Sequence, residues 1–309
     1  MSDIKVRKLV ALSLAWAGCL IFAWLSVTLV ASELGVGVDS HAYWAAWRGE
    51  MYDAAPATRD AFLYSPAFAQ VIWPIAQLPW PVFAALWSLG ATAAVIWLAA
   101  GAGRAWVVPL SLLGTFEILT GNVNWVLALV TVFGFRNPGL WTIALLTKVT
   151  PALGPIWFLA RGDWRELGGS IAWAGVVTAT SFALAPDLWC AWWDFLLTHA
   201  GSSADTVGTS LLPPLSVRMP VMLTFVVWGA RTNRVWTLPI GMTLISPVSG
   251  IGQLVVLLAI PRLLREERKR GVDPRSSAEG RVRPHRPAVG RRVPCRELRR
   301  GRRRNPARQ

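Results

Sequence analysis

Residues 38–66, VDSHAYWAAWRGEMYDAAPATRDAFLYSP, decide how this chain is read. They hold Asp39, Glu50, Asp53 and Asp60 between a first hydrophobic run and the rest of an otherwise apolar sequence. Upstream, MSDIKVRKLV gives a short basic region, and residues 9–31 are then apolar. That is close to the ~20 residues a membrane-crossing helix needs, and longer than the core of a cleaved signal peptide. With no small-residue cleavage site, the run reads as a retained signal anchor. The polar stretch is then the loop it delivers to the other side of a membrane.

Composition supports that class. The chain has 309 residues, is 54% hydrophobic with mean hydropathy +0.43, and carries 19 Trp, the profile of a polytopic membrane protein. A net charge of +14 would suit a nucleic-acid binder, but residues 260–309 hold 17 Arg and one Lys against five acids. The membrane body is left near neutral, so no nucleic-acid partner is expected. The tail, 265–309, lacks apolar periodicity and is expected to be disordered and to meet anionic lipid headgroups. The three Cys are scattered, no His/Cys/Asp group has metal-ligand spacing, and no glycine-rich phosphate loop follows a strand. No metal, cofactor or cytoplasmic nucleotide-sugar is therefore expected.

Hydropathy predicts an all-α polytopic bundle over residues 1–264. The apolar segments are 9–31, a short broken one at 67–79, then 82–100, 106–120, 123–135, 140–160, 169–185, 214–230, 236–245 and 250–264. Lys5, Arg7 and Lys8 place the N-terminus in the cytoplasm by the positive-inside bias. Ten passes then put Arg161, Arg165, Arg231, Arg234 and the tail inside, and Arg104 and Arg136 outside; the range is eight to ten. The loops at 32–66 and 186–213 both fall outside. Trp44, Trp47, Trp80, Trp164, Trp189, Trp192 and Trp193 read as an interfacial belt.

Two residues lead the chemistry. Asp39, just past the first span and beside His41 and Tyr43, can take a proton from a hydroxyl. On spacing alone the favoured role is the N-cap of a helix through SHAYWAAWRGEMY, and the two roles are compatible. Lys148 lies mid-span in LWTIALLTKVTPALGPIW, where an unpaired charge is costly and marks a pathway or a bound anion such as a lipid phosphate. Arg48 could help neutralise a phosphate. Glu117 with GNVNW forms a polar patch in which Asn122 and Asn124 hydrogen-bond between helices.

These motifs occur in one order: DSHAYWAAWRGEMYD, FLYSPAFAQVIWPIAQLP, GNVNWVLAL, LLTKVTPALGPIWFLARGDWREL and LISPVSG. Together, over residues 6–264, they resemble the polytopic mannosyltransferases of glycosyltransferase family 87, with a C-type glycosyltransferase fold. The resemblance implies a donor of mannose on a polyprenyl phosphate and a lipid or glycan acceptor. Transfer would invert the anomeric centre at the outer face of a bacterial plasma membrane, without nucleotide or metal. Asp39 matches the first-loop base of such enzymes, Lys148 and Pro151 their lysine–proline span, and Tyr43 and Tyr64 their loop aromatics. Ser249, Gly250 and Gln253 stand where such proteins often carry Trp and His after the late Ser-Pro. The basic tail stands where further helices would be, as in a divergent or shortened member. A flippase of lipid-linked sugars and a non-catalytic membrane partner are the alternative readings.

Overall fold

Hydrocarbon offers a peptide group no hydrogen-bond partner, so an apolar segment within it must close its own bonds as a helix. A computed structural model describes residues 3–56, 58–148, 152–199, 213–246 and 250–269, and every regular element among them is helical. The chain order begins α1 (Asp3–Leu29, continued by a π-helical turn, Val30–Leu34), α2 (Val38–Ala45), α3 (Pro66–Ala76), α4 (Trp80–Ala99) and α5 (Val107–Leu112). There follow α6 (Thr115–Thr120), α7 (Asn124–Phe133), α8 (Trp141–Thr147), α9 (Gly154–Arg161), α10 (Trp164–Leu184) and α11 (Pro186–His199). The last are α12 (Leu215–Arg231), α13 (Thr237–Ile245), a 3-10 segment (Ile251–Leu258) and α14 (Ala259–Lys269).

Among the described residues, three stretches are long and apolar enough to cross a membrane: Leu9–Leu34, Trp80–Ala102 and Trp164–Leu184. Leu14, Ile21 and Trp24 of α1, and Ile171, Val176 and Leu184 of α10, are uncovered on the outer surface. Lipid tails are as apolar as leucine, so these faces suit a bilayer as solvent.

Among the described residues the apolar helices α3, α7 and α8 are shorter than a crossing needs, and the ends of α8 and its neighbour α9 show how the chain runs there. Trp97, Phe133, Arg136, Trp157, Arg161, Asn233, Val235, Arg262 and Glu266 line one cavity. Arg136 pairs there with Glu266, and the Arg161 Nη1 donates to Asn233 Oδ1 at 2.6 Å. Arg136 precedes α8 and Arg161 ends α9, so the pair leaves this end and returns to it. Within 140–160, read as one span, the described helices α8 and α9 thus run in opposite senses, as the two arms of a hairpin. Its seven-residue first arm rises about 10 Å, a third of a ~30 Å hydrocarbon core. α13 and the 3-10 segment make a second such hairpin, leaving near Val235 and returning near Arg262. α5 and α6 climb along α1, and α7 brings the chain back to Phe133.

Local chemistry explains the breaks. α8 stops at Lys148, whose backbone is extended (φ −139°, ψ 100°), and Pro155 opens α9 near its N-terminus. Gly154 lets the start of α9 meet the Trp141 indole of α8, which a Cβ there would run into. The segment at 67–79 is short as well: α3 has 11 residues, capped by Ser65. α14 continues to Lys269, past the expected boundary at 264. Pro151, Ser249, the loop at 200–212 and the tail from 270 lie outside the described residues.

Two hydrophobic clusters hold the bundle. One packs Leu127, Trp141, Leu153, Trp157, Leu238, Met242 and Val255 across α7, α8, α9, α13 and the 3-10 segment. The other is aromatic, with Tyr43, Phe62, Phe68, Phe83 and Trp87 at its centre. Trp44 and Trp47 turn inward against it, their Nε1 atoms donating to Leu78 O (2.8 Å) and Ala69 O (3.1 Å), rather than forming a belt.

Candidate active site

The site forms where α2 is pressed against the α6–α7 turn. Gly37 is the N-cap of α2, in the left-handed region (φ 75°), and its N–H donates to Leu119 O at 2.7 Å. Asp39 is therefore not the cap that its spacing suggests. It sits in the first turn, with its carboxylate turned toward α7. Gly121 ends α6 at φ 73°, and a Cβ on it would overlap Ser40. Two glycines thus allow two backbones to meet.

The contact joins charges that lie far apart in sequence. Asn122 Nδ2 donates to Asp39 Oδ2 at 2.9 Å, while Asn122 Oδ1 accepts from Lys148 Nζ at 3.1 Å. Lys148 donates again to Asn124 Oδ1 at 2.8 Å, and Asn124 Nδ2 donates to Glu117 Oε2 at 3.0 Å. Glu117 Oε1 accepts from the Trp125 N–H at 3.0 Å. The order is carboxylate, amide, ammonium, amide, carboxylate. Each amide is oriented without ambiguity, because a carboxylate only accepts and an ammonium only donates.

Other elements hold this row in place. Trp87 Nε1 donates to Asn122 O at 3.4 Å. Trp87 is seven residues into α4, so the site lies about 10 Å in from Trp80 at 1.5 Å per residue. Ser65 Oγ donates to Leu146 O at 2.7 Å, tying the N-terminus of α3 to the end of α8 two residues before Lys148. Gly252 of the 3-10 segment closes the Glu117 side, where a Cβ would stand 3.0 Å from Oε2.

The family model for glycosyltransferase family 87 matches residues 62–277, well over half of the 309 residues. The chain belongs to glycosyltransferase family 87. It is thus a membrane glycosyltransferase, with a sugar donor and an acceptor. No curated protein and no solved structure matches it. Within family 87, the matched stretch contains Tyr64, Glu117, Asn122, Asn124 and Lys148, while Asp39 reaches the site from outside it through Asn122.

The expected residues part into two groups. Asp39, Asn122, Asn124 and Lys148 are brought together. Tyr43 and Tyr64 lie alongside, their hydroxyls 3.0 Å apart, with the Tyr43 ring edge-on to Trp87. Burial, then Tyr64 and the Asp39 charge, push the Tyr43 phenol far up; burial and then Asp39 raise Tyr64 too. Both are fixed hydrogen-bonding hydroxyls, not bases.

His41 and Arg48 are elsewhere engaged. His41 Nδ1 lies 2.5 Å from Asp60 Oδ1, between the rings of Trp44 and Trp80. Arg48 stacks over Trp44 at 3.6 Å and donates to Ala76 O at 2.8 Å, at the C-terminus of α3. Its guanidinium caps a helix there, and no bond among the described residues joins it to Lys148. Glu117 is the residue whose part the sequence left at its default. Its signal was a carboxylate four residues ahead of a Gly-Asn-x-Asn turn.

Proposed function

We propose that this family 87 protein transfers mannose, or a related sugar, from a polyprenyl phosphate to an extracytoplasmic lipid or glycan acceptor, with a C-type architecture. The observation that carries the reading is the single amide of Asn122 joining Asp39 to Lys148. A direct ion pair would saturate both groups. With the amide between them, Asp39 keeps Oδ1 free of any bond among the described residues, and Lys148 keeps its third N–H.

The acceptor hydroxyl gives its proton to Asp39 as its oxygen attacks the anomeric carbon. The bond from that carbon to the phosphate oxygen breaks, and the carrier leaves as a phosphomonoester with one more negative charge. A fixed ammonium in a water-poor site stabilises that developing charge more than it stabilises the donor. Tyr43 and Tyr64 line the sugar side. The gathering of Arg104, Arg136, Arg161 and Arg165 at the opposite end supports an outward-facing site.

The test is transfer by purified protein from polyprenyl-phosphate-linked radiolabelled mannose to total membrane lipid. Wild type should yield a new labelled product; movement of donor across vesicles with no new glycosidic bond would instead indicate a flippase. Asp39→Asn keeps an oxygen for Asn122, so it should insert normally and lose ~10²–10⁴-fold in rate, the usual worth of general-base catalysis. Full activity in that variant removes Asp39 as the base.

A further inference from the structure

Glu117 is a buried carboxylate, 1% exposed, that the transfer reaction does not use. It makes no direct ion pair with Lys148, yet the geometry ties the two. Asn124 can offer its carbonyl to Lys148 only while its NH₂ faces an acceptor, and that acceptor is Glu117 Oε2. The other Glu117 oxygen is held by the Trp125 N–H, so the carboxylate cannot swing away. Gly252 covers it on one side, where a Cβ would stand 3.0 Å from Oε2.

We infer that Glu117 is a positioning residue for donor binding: acting through Asn124, it aims Lys148 and keeps it an ammonium while no phosphate is present. The inference rests on the proposed phosphate role of Lys148. A lone ammonium inside a helix bundle loses its hydration and tends to give up its proton. A fixed carboxylate one amide away opposes that loss without occupying the ammonium's open N–H. The groups facing Lys148 are few. They are Asp39 on α2 through Asn122 and Glu117 on α6 through Asn124, with the phenols of Tyr43 and Tyr64 beside the carboxylates. α3, α7, α8, α13 and the 3-10 segment bring no ionisable side chain to it.

Glu117→Gln has a defined consequence. The new amide cannot accept from both Trp125 N–H and Asn124 NH₂ at its two ends. One donor then faces another, or Asn124 turns its NH₂ toward Lys148. Either way the ammonium loses a partner and its counter-charge.

The experiment measures binding of polyprenyl-phosphate-mannose, a phosphodiester of constant charge, by the purified full chain from pH 6 to 9. Wild-type affinity should vary by less than about threefold from pH 7.5 to 9. Glu117→Gln should bind at least tenfold more weakly at pH 8 and recover toward pH 6, as Lys148 regains its proton. Glu117→Gln combined with Lys148→Arg should be pH-independent, because a guanidinium stays charged. Loss by the same factor at every pH, or no loss, overturns the inference.

A donor-free measurement separates this from the functional reading. In thermal unfolding, Lys148→Met and Glu117→Gln should each lower the midpoint, and the double variant should lie above the sum of their shifts. Additive shifts overturn the coupling of Glu117 to Lys148. If wild type binds no polyprenyl-phosphate-mannose, the donor reading falls, and this unfolding cycle alone decides whether the two residues act together.

Discussion

Gly121 carries a constraint that no other residue can satisfy. It needs φ 73° and space against Ser40, and both needs arise because α2 is pressed onto the α6–α7 turn. Gly121→Ala should therefore cost ~2–4 kcal/mol, adding the strain of a side chain at positive φ to overpacking in a filled site. The check is chemical or thermal unfolding in detergent, with Ser40→Ala as the milder neighbour. Transfer should fall as well, since the same shift pulls Asp39 from Asn122. An Ala variant as stable as wild type would mean that the two turns are not pressed together. At this scale the charged residues were legible: Asp39 as an acid just past a span, Lys148 as a lysine in mid-span. Their partnership was not, because Asn122 stands 83 residues from one and 26 from the other. The capping expectation for Asp39 failed for a local reason. Gly37 in the left-handed region starts α2 earlier than a side-chain cap would.

Among the elements, α3 and α8 depend on one hydroxyl. Ser65 Oγ accepts from Phe68 N–H at 3.4 Å and donates to Leu146 O at 2.7 Å, so it caps one helix while satisfying the last turn of another. Ser65→Ala should cost ~1–2 kcal/mol, the range for losing an N-cap and a buried bond. It should also raise the donor KM more than it lowers kcat, because the freed end of α8 carries Lys148. Equal stability and unchanged KM would show that the Leu146 tie is dispensable. The hairpins themselves were hidden from hydropathy, which measures how apolar a segment is but not which way it runs. Residues 140–160 are apolar enough for one crossing. Only Lys148, Pro151 and Pro155 hinted at a break, and those residues fit a kinked span equally well. By contrast α1, α4 and α10 were readable, because twenty or more apolar residues leave a chain in lipid one solution.

For the whole molecule, the hairpins change which charges share a side. With ten passes, Arg104 and Arg136 were left opposite the other loop arginines. In the folded chain Arg136 lines the same cavity as Arg161 and Arg262, and Gly103, next to Arg104, lines another with Arg265 and Arg268. At the other end Glu50, Asp53 and Asp194 border one groove between the first loop and α11, with no arginine in its lining. This division obeys the positive-inside bias more fully than ten passes would. It also predicts labelling. Single cysteines placed as Arg136→Cys, Arg165→Cys and Asp53→Cys, in a background with Cys19, Cys190 and Cys295 removed, should sort into two classes in intact cells. A membrane-impermeant maleimide should reach Asp53→Cys from outside, and should reach Arg136→Cys and Arg165→Cys only after the membrane is opened. Arg136→Cys labelled from outside would restore a crossing between Arg136 and Arg161. It would thereby take apart the hairpin that carries Lys148 to Asp39.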